Sequence, residues 1–306
     1  MNKASPTDLP SSIHQRLLNL SKKEGQDFQF VLTRFALERF LYRLSNSPFS
    51  RQFILKGAML FSIWTGKSHR PTKDLDLLGY CEDNRESLIA LLQKVCTTKV
   101  EPDGLIFNPE SVRAEDIREG QEYQGQRVRL TAALGRSQIQ IQVDIGFGDI
   151  TTPAAEEVDY PSLLGLPHPR IRVYPKETVI SEKLQAMVTM GMMNSRMKDF
   201  YDIWIISRQF DFKGPVLVRA IKATFNRRKT EIPSETPPCL CDEFSKDQNK
   251  ATQWKAFLTR NRLEVSDAAL SSIVNDLRIF LINPLISAAK GEAFSKSWTA
   301  GGPWSP

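Results

Sequence analysis

Cysteine and histidine are scarce in this sequence, with four of the first and three of the second among 306 residues. Cys81 and Cys96 stand alone, Cys239 and Cys241 share the tripeptide CLC, and His14, His69 and His168 are scattered. No tetrahedral zinc set is complete, and reduced thiols with no shared role are expected. Long apolar runs are missing too. IFLINPLISAA is broken by Asn283 and Pro284 and falls short of the roughly 20 residues that cross a bilayer core, so no membrane partner is expected. MNKASPTDLPSSIHQRLLNL lacks an apolar stretch with a small-residue cleavage site, and a soluble, cytoplasmic protein is the expectation.

What is present is ordinary globular material. Apolar residues at 41% and charged residues at 25% leave bulk disorder unexpected. The length suits one large domain or two closely packed ones. A net charge of +6 and an isoelectric point near 9.1 permit an anionic partner without demanding one.

Apolar spacing of three and four predicts helices over SSIHQRLLNLSKKEG and DFQFVLTRFALERFLYRLSNS, capped by Ser11 or Ser12 and by Asp27. In the second, Phe28, Val31, Leu32, Phe35, Leu41 and Leu44 form a buried stripe, with Arg34, Glu38, Arg39 and Arg43 on the wetter side. In FILKGAMLFSIWTG, Gly57 reads as a helix start and Gly66 as its stop. A strand over HRPTKDLDLLGY, a helix over NRESLIALLQKVCTT, and a hairpin from GQRVRLTAALG to SQIQIQVDIGFGD follow. Thr151 to Val173 reads as an irregular connection. The remainder is mostly helical, over KETVISEKLQAMVTMG, MKDFYDIWIISRQF, GPVLVRAIKATFNRRKT and SSIVNDLRIFLINPLISAAKG. EIPSETPPCLCDEFSKDQNK reads as a linker or exposed loop, and WTAGGPWSP as a poorly ordered tail unless its tryptophans dock.

The chemistry centres on KDLDLL. A strand points Asp74 and Asp76 to one face, about 6.5–7 Å apart at Cα, and Leu75 and Leu77 to the other. The pair is either a solvated strand face or the seat of a divalent cation, and hard carboxylate oxygens suit Mg²⁺ or Mn²⁺ better than zinc. In IQIQVDIGFGD the alternation puts Gln140, Gln142 and Asp144 opposite Ile139, Ile141, Val143 and Ile145. Asp144 supplies a third carboxylate if the two strands are neighbours. Lys56 and Gly57 at a helix start could offer bare amides to a triphosphate, or the glycine could serve packing alone. Arg70 and Lys73 lead into the aspartates and suit metal-complexed phosphates, or are merely solvated. Lys183 sits among Val179, Ile180, Leu184 and Met187 and could snorkel to water. Asp199 and Asp202 lie one turn apart near Arg196 and Lys198, as surface ion pairs or as part of a site.

LKGAMLFSIW…HRPTKDLDLL, then IQVDIGFGD, then ISEKLQAMV…NSRMKDFYDIW, from about Phe53 to Arg208, together resemble the AbiEii/AbiGii-type nucleotidyltransferase toxins, a branch of the DNA polymerase β-like superfamily. The resemblance implies an α+β fold: a mixed nucleotidyltransferase-type sheet flanked by helices, with a mostly helical C-terminal part. The expected organisation is a catalytic core with N-terminal helices over 1–175, a helical domain completing the active site over 176–290, and a flexible tail over 291–306. It implies transfer of a nucleoside monophosphate from an NTP, often to the tRNA 3′ end, by the toxin of a toxin–antitoxin or phage-defence pair. A cognate antitoxin protein is then a possible partner.

By position, the resemblance makes Asp74 and Asp76 the metal-binding pair and Asp144 a third ligand or base. Lys183 becomes a contact to NTP phosphates, and Asp199 an active-site residue with Arg196 and Lys198 as neighbours. Where superfamily members often carry Gly-Ser at the helix start, this chain has Gly57-Ala58, which leaves the backbone alone to cradle phosphate. Lys56, Gly57, Arg70, Lys183, Arg196 and Lys198 make up the expected nucleotide-binding set, and the basic run FNRRKT is expected to grip RNA backbone. Two other readings use the same residues: nucleotidylation of a protein or small molecule, and a module that binds nucleotide or RNA without catalysis.

Overall fold

The computed structural model describes residues 9–66, 70–119, 123–263, 265 and 269–306. The chain divides into two compact units, Met1–Gly148 with Glu156–Val173, and Asp149–Ala155 with Tyr174–Pro306.

In the first unit, helices α1 (Leu9–Glu24), α2 (Phe28–Ser45) and α4 (Arg85–Cys96) accompany strands β1 (Phe53–Lys56), β2 (Asp74–Gly79), β3 (Leu105–Glu119), β4 (Tyr123–Leu134), β5 (Ser137–Phe147), β6 (Glu156–Asp159) and β7 (Arg170–Val173). Among the described residues these strands form one mixed sheet in the order β3-β4-β5-β2-β1-β7-β6. β2 runs parallel to β5 and antiparallel to β1. Leu75, Leu77, Val143 and Ile145 are fully buried on the same side, and α2 packs against β5 and β7. Alternation therefore does what two-residue periodicity requires: one sheet face goes into the core and the other keeps its polar side chains.

Asp27 caps α2 as expected, accepting from the Phe30 N–H. The wetter side assigned to that helix is corrected. Glu38 and Arg39 are fully buried and Arg43 nearly so. Arg39 Nε donates to Asp103 Oδ2 at 2.9 Å, and Arg43 donates to both Asp103 oxygens at 2.7 and 3.0 Å. Glu38 accepts from Ser162 Oγ and the Leu163 N–H. The loops around Asp103 and Ser162 cover a face that helical spacing alone reads as solvated.

The sequence reading passed over β3, whose alternation is interrupted by Pro109 and a register shift between Asn108 and Arg113. The connection expected to be irregular holds a hairpin, β6–β7, with Glu156 opposite Val173 and Asp159 opposite Arg170. Gly57 opens only a 3₁₀ turn, Gly57–Met59, that runs into the six-residue α3 (Leu60–Thr65), with Gly66 as its left-handed stop.

The second unit contains α5 (Lys176–Met190), α6 (Met197–Gln209), α7 (Gly214–Arg227), α8 (Asp242–Lys246), α9 (Gln248–Asn261) and α10 (Leu270–Lys290). A small sheet joins β8 (Phe212–Lys213), β9 (Ser297–Trp298) and β10 (Trp304–Ser305). The expected linker is corrected in part, because Cys239, Leu240 and Phe244 are fully buried and Phe244 stacks on Phe200 at 5.1 Å between centroids.

Pro284 does not end α10. It has no N–H for the Phe280 carbonyl one turn back. The Trp304 indole donates to that carbonyl instead, at 2.9 Å, while its ring stacks on Phe280. Trp298 likewise donates to the Ser207 carbonyl at 2.6 Å. These contacts correct the flexible tail: both tryptophans dock and carry the C-terminal strands with them. By length and composition α10 could cross a membrane, and half of its apolar window is buried inside the fold.

Two predictions follow from these buried polar contacts. Asp103→Asn leaves the Arg43 guanidinium without a carboxylate and Arg39 with Glu38 alone, at 3.5 Å, and is expected to lower unfolding stability by about 3–5 kcal/mol in denaturant titration. Burial pushes the Asp103 carboxyl up, but Arg43 and Arg39 outweigh it and hold the group below its ordinary value. Its contribution is complete above the unfolded value near 3.9 and is lost as pH falls through the lowered folded value. The acid limb of stability should therefore flatten in the variant. Trp304→Phe keeps the ring but orphans the Phe280 carbonyl, at a cost of about 1–3 kcal/mol; adding Pro284→Ala should restore the difference in a double-mutant cycle.

Candidate active site

The parallel register of β2 and β5 sets Asp76 directly opposite Asp144 and Asp74 opposite Gln142. One carboxylate oxygen from each of Asp74, Asp76 and Asp144 can be chosen so that all lie within 4.8 Å of one another, each side chain half-buried. Among the described residues no other group of three or more such ligands comes this close. Three like charges at this range repel strongly unless a cation sits among them. An all-oxygen donor set on a rigid strand pair fits a hard divalent ion.

Gly57 touches this cluster directly. It sits at φ +74°, and a Cβ placed on it would overlap the Asp76 carboxylate. The residue is thus required by close approach to an aspartate, which neither the helix-start reading nor the packing reading anticipates. The short helix behind it gives little macrodipole, so the cradle expected at Gly57 reduces to its own backbone. Lys56 is the register partner of Asp76 across β1 and β2. Thr72 donates its hydroxyl to Asp74 Oδ1. Arg70 is half-buried and Lys73 exposed in the segment leading into β2, and His69 lies outside the described residues.

Sequence reasoning missed Arg127. Its Nε donates to Asp144 Oδ1 at 2.9 Å and its Nη2 to Oδ2 at 2.7 Å, a two-pronged pair that fixes the plane of the carboxylate. Gln142 adds a longer bond to Oδ2 at 3.3 Å. The Asp144 hydrogen bond is the main reason the Arg127 guanidinium is held above its ordinary value, with Glu115 and Asp74 adding to it against the effect of burial. The signal was available: counting outward from Leu134 and Ser137 across the two-residue turn places Arg127 opposite Asp144.

The second unit holds an ion-pair cluster of its own residues. Lys183 Nζ lies 2.7 Å from Asp199 Oδ1 and 2.9 Å from Asp202 Oδ2, and Arg196 Nε lies 2.7 Å from Asp199 Oδ2. Lys183 does not snorkel, and Asp199 and Asp202 are buried rather than at the surface. Burial raises the Asp199 carboxyl, but Lys183 and Arg196 prevail and hold it below its ordinary value. Lys198 is exposed on α6, outside this cluster. In FNRRKT, Arg228 is also committed, with Nε and Nη2 on the two oxygens of Asp149 at 3.1 and 3.0 Å and Nη1 on Gln185. Arg228 thereby ties the segment around Asp149 to the end of α7.

Comparison with known proteins gives one family and two structures. The family described as "Nucleotidyl transferase AbiEii toxin, Type IV TA system" matches residues 39–276. A candidate nucleotidyltransferase from H. pylori is similar at 15% identity and a TM-score of 0.48, over 84% of this chain and 94% of that one. JHP933 from Helicobacter pylori is similar at 15% identity and a TM-score of 0.47, over 84% of this chain and 91% of that one. No curated protein matches the chain.

Gly57→Ala should separate the close approach from the cost of a left-handed backbone. Gly25→Ala, at φ +63° with open space around it, carries only the backbone strain of about 1–2 kcal/mol. The Gly57 variant should in addition bind Mn²⁺ at least tenfold more weakly in calorimetry, and the Gly25 variant should bind it as the parent does.

Proposed function

The chain belongs to the AbiEii family of nucleotidyltransferase toxins of type IV toxin–antitoxin systems, and on that premise we propose that it transfers a nucleoside monophosphate from an NTP to an RNA acceptor, with tRNA as that RNA, in a Mg²⁺-dependent reaction. The observation that carries this reading is the convergence of Asp74, Asp76 and Asp144 on one point beside Gly57. The acceptor hydroxyl oxygen forms a bond to the α-phosphorus and gives up its proton to water, the bond from that phosphorus to the oxygen bridging to the β-phosphorus breaks, and pyrophosphate leaves with that bond's electron pair.

Asp74, Asp76 and Asp144, the plane of the last set by Arg127, are the residues that would hold the metal. A divalent ion bound there would offset the clustered carboxylate charge and would make the acceptor hydroxyl easier to deprotonate. Lys56, Arg70 and the Gly57 backbone take the charge that grows on the departing pyrophosphate, the kind of electrostatic contribution that dominates such transfers. Residues 176–290 contribute to the same reaction in this proposal. The roles proposed for Lys183, Arg196 and Lys198 are contacts to NTP phosphates, with Asp199 and Asp202 orienting the first two. The proposal extends to a cytoplasmic protein neutralised by a cognate antitoxin and active in phage defence.

Incubation with total RNA, each labelled NTP and Mg²⁺ tests the reading. Label is expected in RNase-sensitive, tRNA-sized product, lost with EDTA and reduced at least a hundredfold by Asp74→Ala. Label in RNase-resistant protein, or transfer indifferent to Asp74→Ala, would overturn it.

A further inference from the structure

The polar face that carries the aspartates continues past them. Asp76 is in register with Asp144 on β5, Arg127 on β4 and Glu115 on β3; the neighbouring row runs Asp74, Gln142, Arg129, Arg113. Arg113 and Arg129 are exposed and directly opposite each other on adjacent strands. Like charges in that position are destabilising, as the clustered carboxylates are, and an anion between them relieves the repulsion. Their present partners are surface ones: Arg129 Nη1 lies 2.6 Å from Glu115 Oε1, and Arg113 Nη1 donates to the Glu110 and Val112 carbonyls. Exposed contacts of this kind exchange at little cost. The two arginines line a shallow groove of about 340 Å³ with the Glu115 carboxylate, Thr131, Gln140 and Ser111, whose hydroxyl already donates to the Asn108 carbonyl and accepts from the Thr131 N–H.

Direction decides what the groove holds. Lys56 and Gly57 lie on the β1 side of Asp76, and β5, β4 and β3 extend on the other side. In-line displacement puts the leaving pyrophosphate and the entering hydroxyl on opposite sides of the reacting phosphorus. With phosphates taken up at Gly57, the acceptor enters over β5. At about 4.8 Å between strands, Arg129 and Arg113 stand roughly 10 and 14 Å from the β2 aspartates, a reach of about two to four nucleotides.

We propose that this groove binds the phosphodiester backbone of a single-stranded RNA acceptor a few nucleotides upstream of its reacting 3′ hydroxyl, with a phosphate held between Arg113 and Arg129. The amides and hydroxyls of Gln140, Thr131 and Ser111 contact ribose and base edges without selecting a sequence. This inference rests on the transferase reading for its direction, and on the opposed arginines and the groove for its ligand.

The test uses the full chain with Mg²⁺ and a fluorescent single-stranded RNA oligonucleotide ending in a 3′ hydroxyl. Anisotropy is followed between about 50 and 200 mM salt. Arg113→Gln with Arg129→Gln should weaken binding at least tenfold and reduce the slope of log K against log salt by about one to two. Arg129→Lys should keep the slope. Binding of a non-hydrolysable NTP with Mg²⁺, read by calorimetry, should stay as in the parent, as should the melting temperature. Unchanged RNA affinity and slope in the double variant, or no RNA binding by the parent chain, overturns the groove. RNA held through the two arginines without nucleotide transfer leaves the groove standing and sinks the transferase reading. Transfer whose KM for RNA ignores both substitutions does the reverse, and label on protein assigns the face to a polypeptide and overturns the proposal.

Discussion

The parallel pairing of β2 with β5 is the constraint on which the first unit turns. It places Asp76 against Asp144 at the spacing of adjacent strands. The cost of that juxtaposition is borne by the other face of the same strands, where Leu75, Leu77, Val143 and Ile145 are fully buried. Each buried aliphatic side chain is worth about 1.5–3 kcal/mol, so the register is held by the core however the carboxylates repel. A slip of one residue would turn the leucines outward and the aspartates inward. The carboxylates are close because hydrophobic packing does not allow them to part.

The polar features around that pairing work as supports of different kinds. Arg127 locks the plane of Asp144. Gly57, by having no side chain, leaves the Asp76 carboxylate its space. Elsewhere the same chemistry is structural. Asp103 joins Arg39 and Arg43 beneath covering loops, and Asp149 anchors Arg228. Ion pairs of similar appearance thus orient one carboxylate of the aspartate cluster in one place and hold segments in another. The distinction lies in the surroundings: Asp144 has two further carboxylates within 4.8 Å, and Asp103 has two arginines.

Periodicity was a sound guide wherever an element has one wet side and one dry side. The β4–β5 hairpin, β2 and the long C-terminal helices were legible on that ground. It failed where loops cover what spacing marks as wet, as at Glu38, Arg39 and Arg43, and where the alternation is broken, as in β3 around Pro109. Motif singles out Lys183 and Asp199, yet it does not show that Asp199 is buried, because a helix with charges on one face does not say what packs over that face. The tail was readable only conditionally: the sequence shows Trp298 and Trp304, but not that Pro284 leaves a carbonyl for one of them to fill.

The sequence by itself determined the acidic pair on one strand face, the third aspartate on another, the glycine between apolar runs and the family resemblance, since these depend on residue type and local period. Only the tertiary structure decided that β2 and β5 are neighbours, that Gly57 presses on Asp76, and that Arg113 stands opposite Arg129 on an adjacent strand. Strand order and register arise from burying side chains distant in sequence against one another, and no local pattern carries that information.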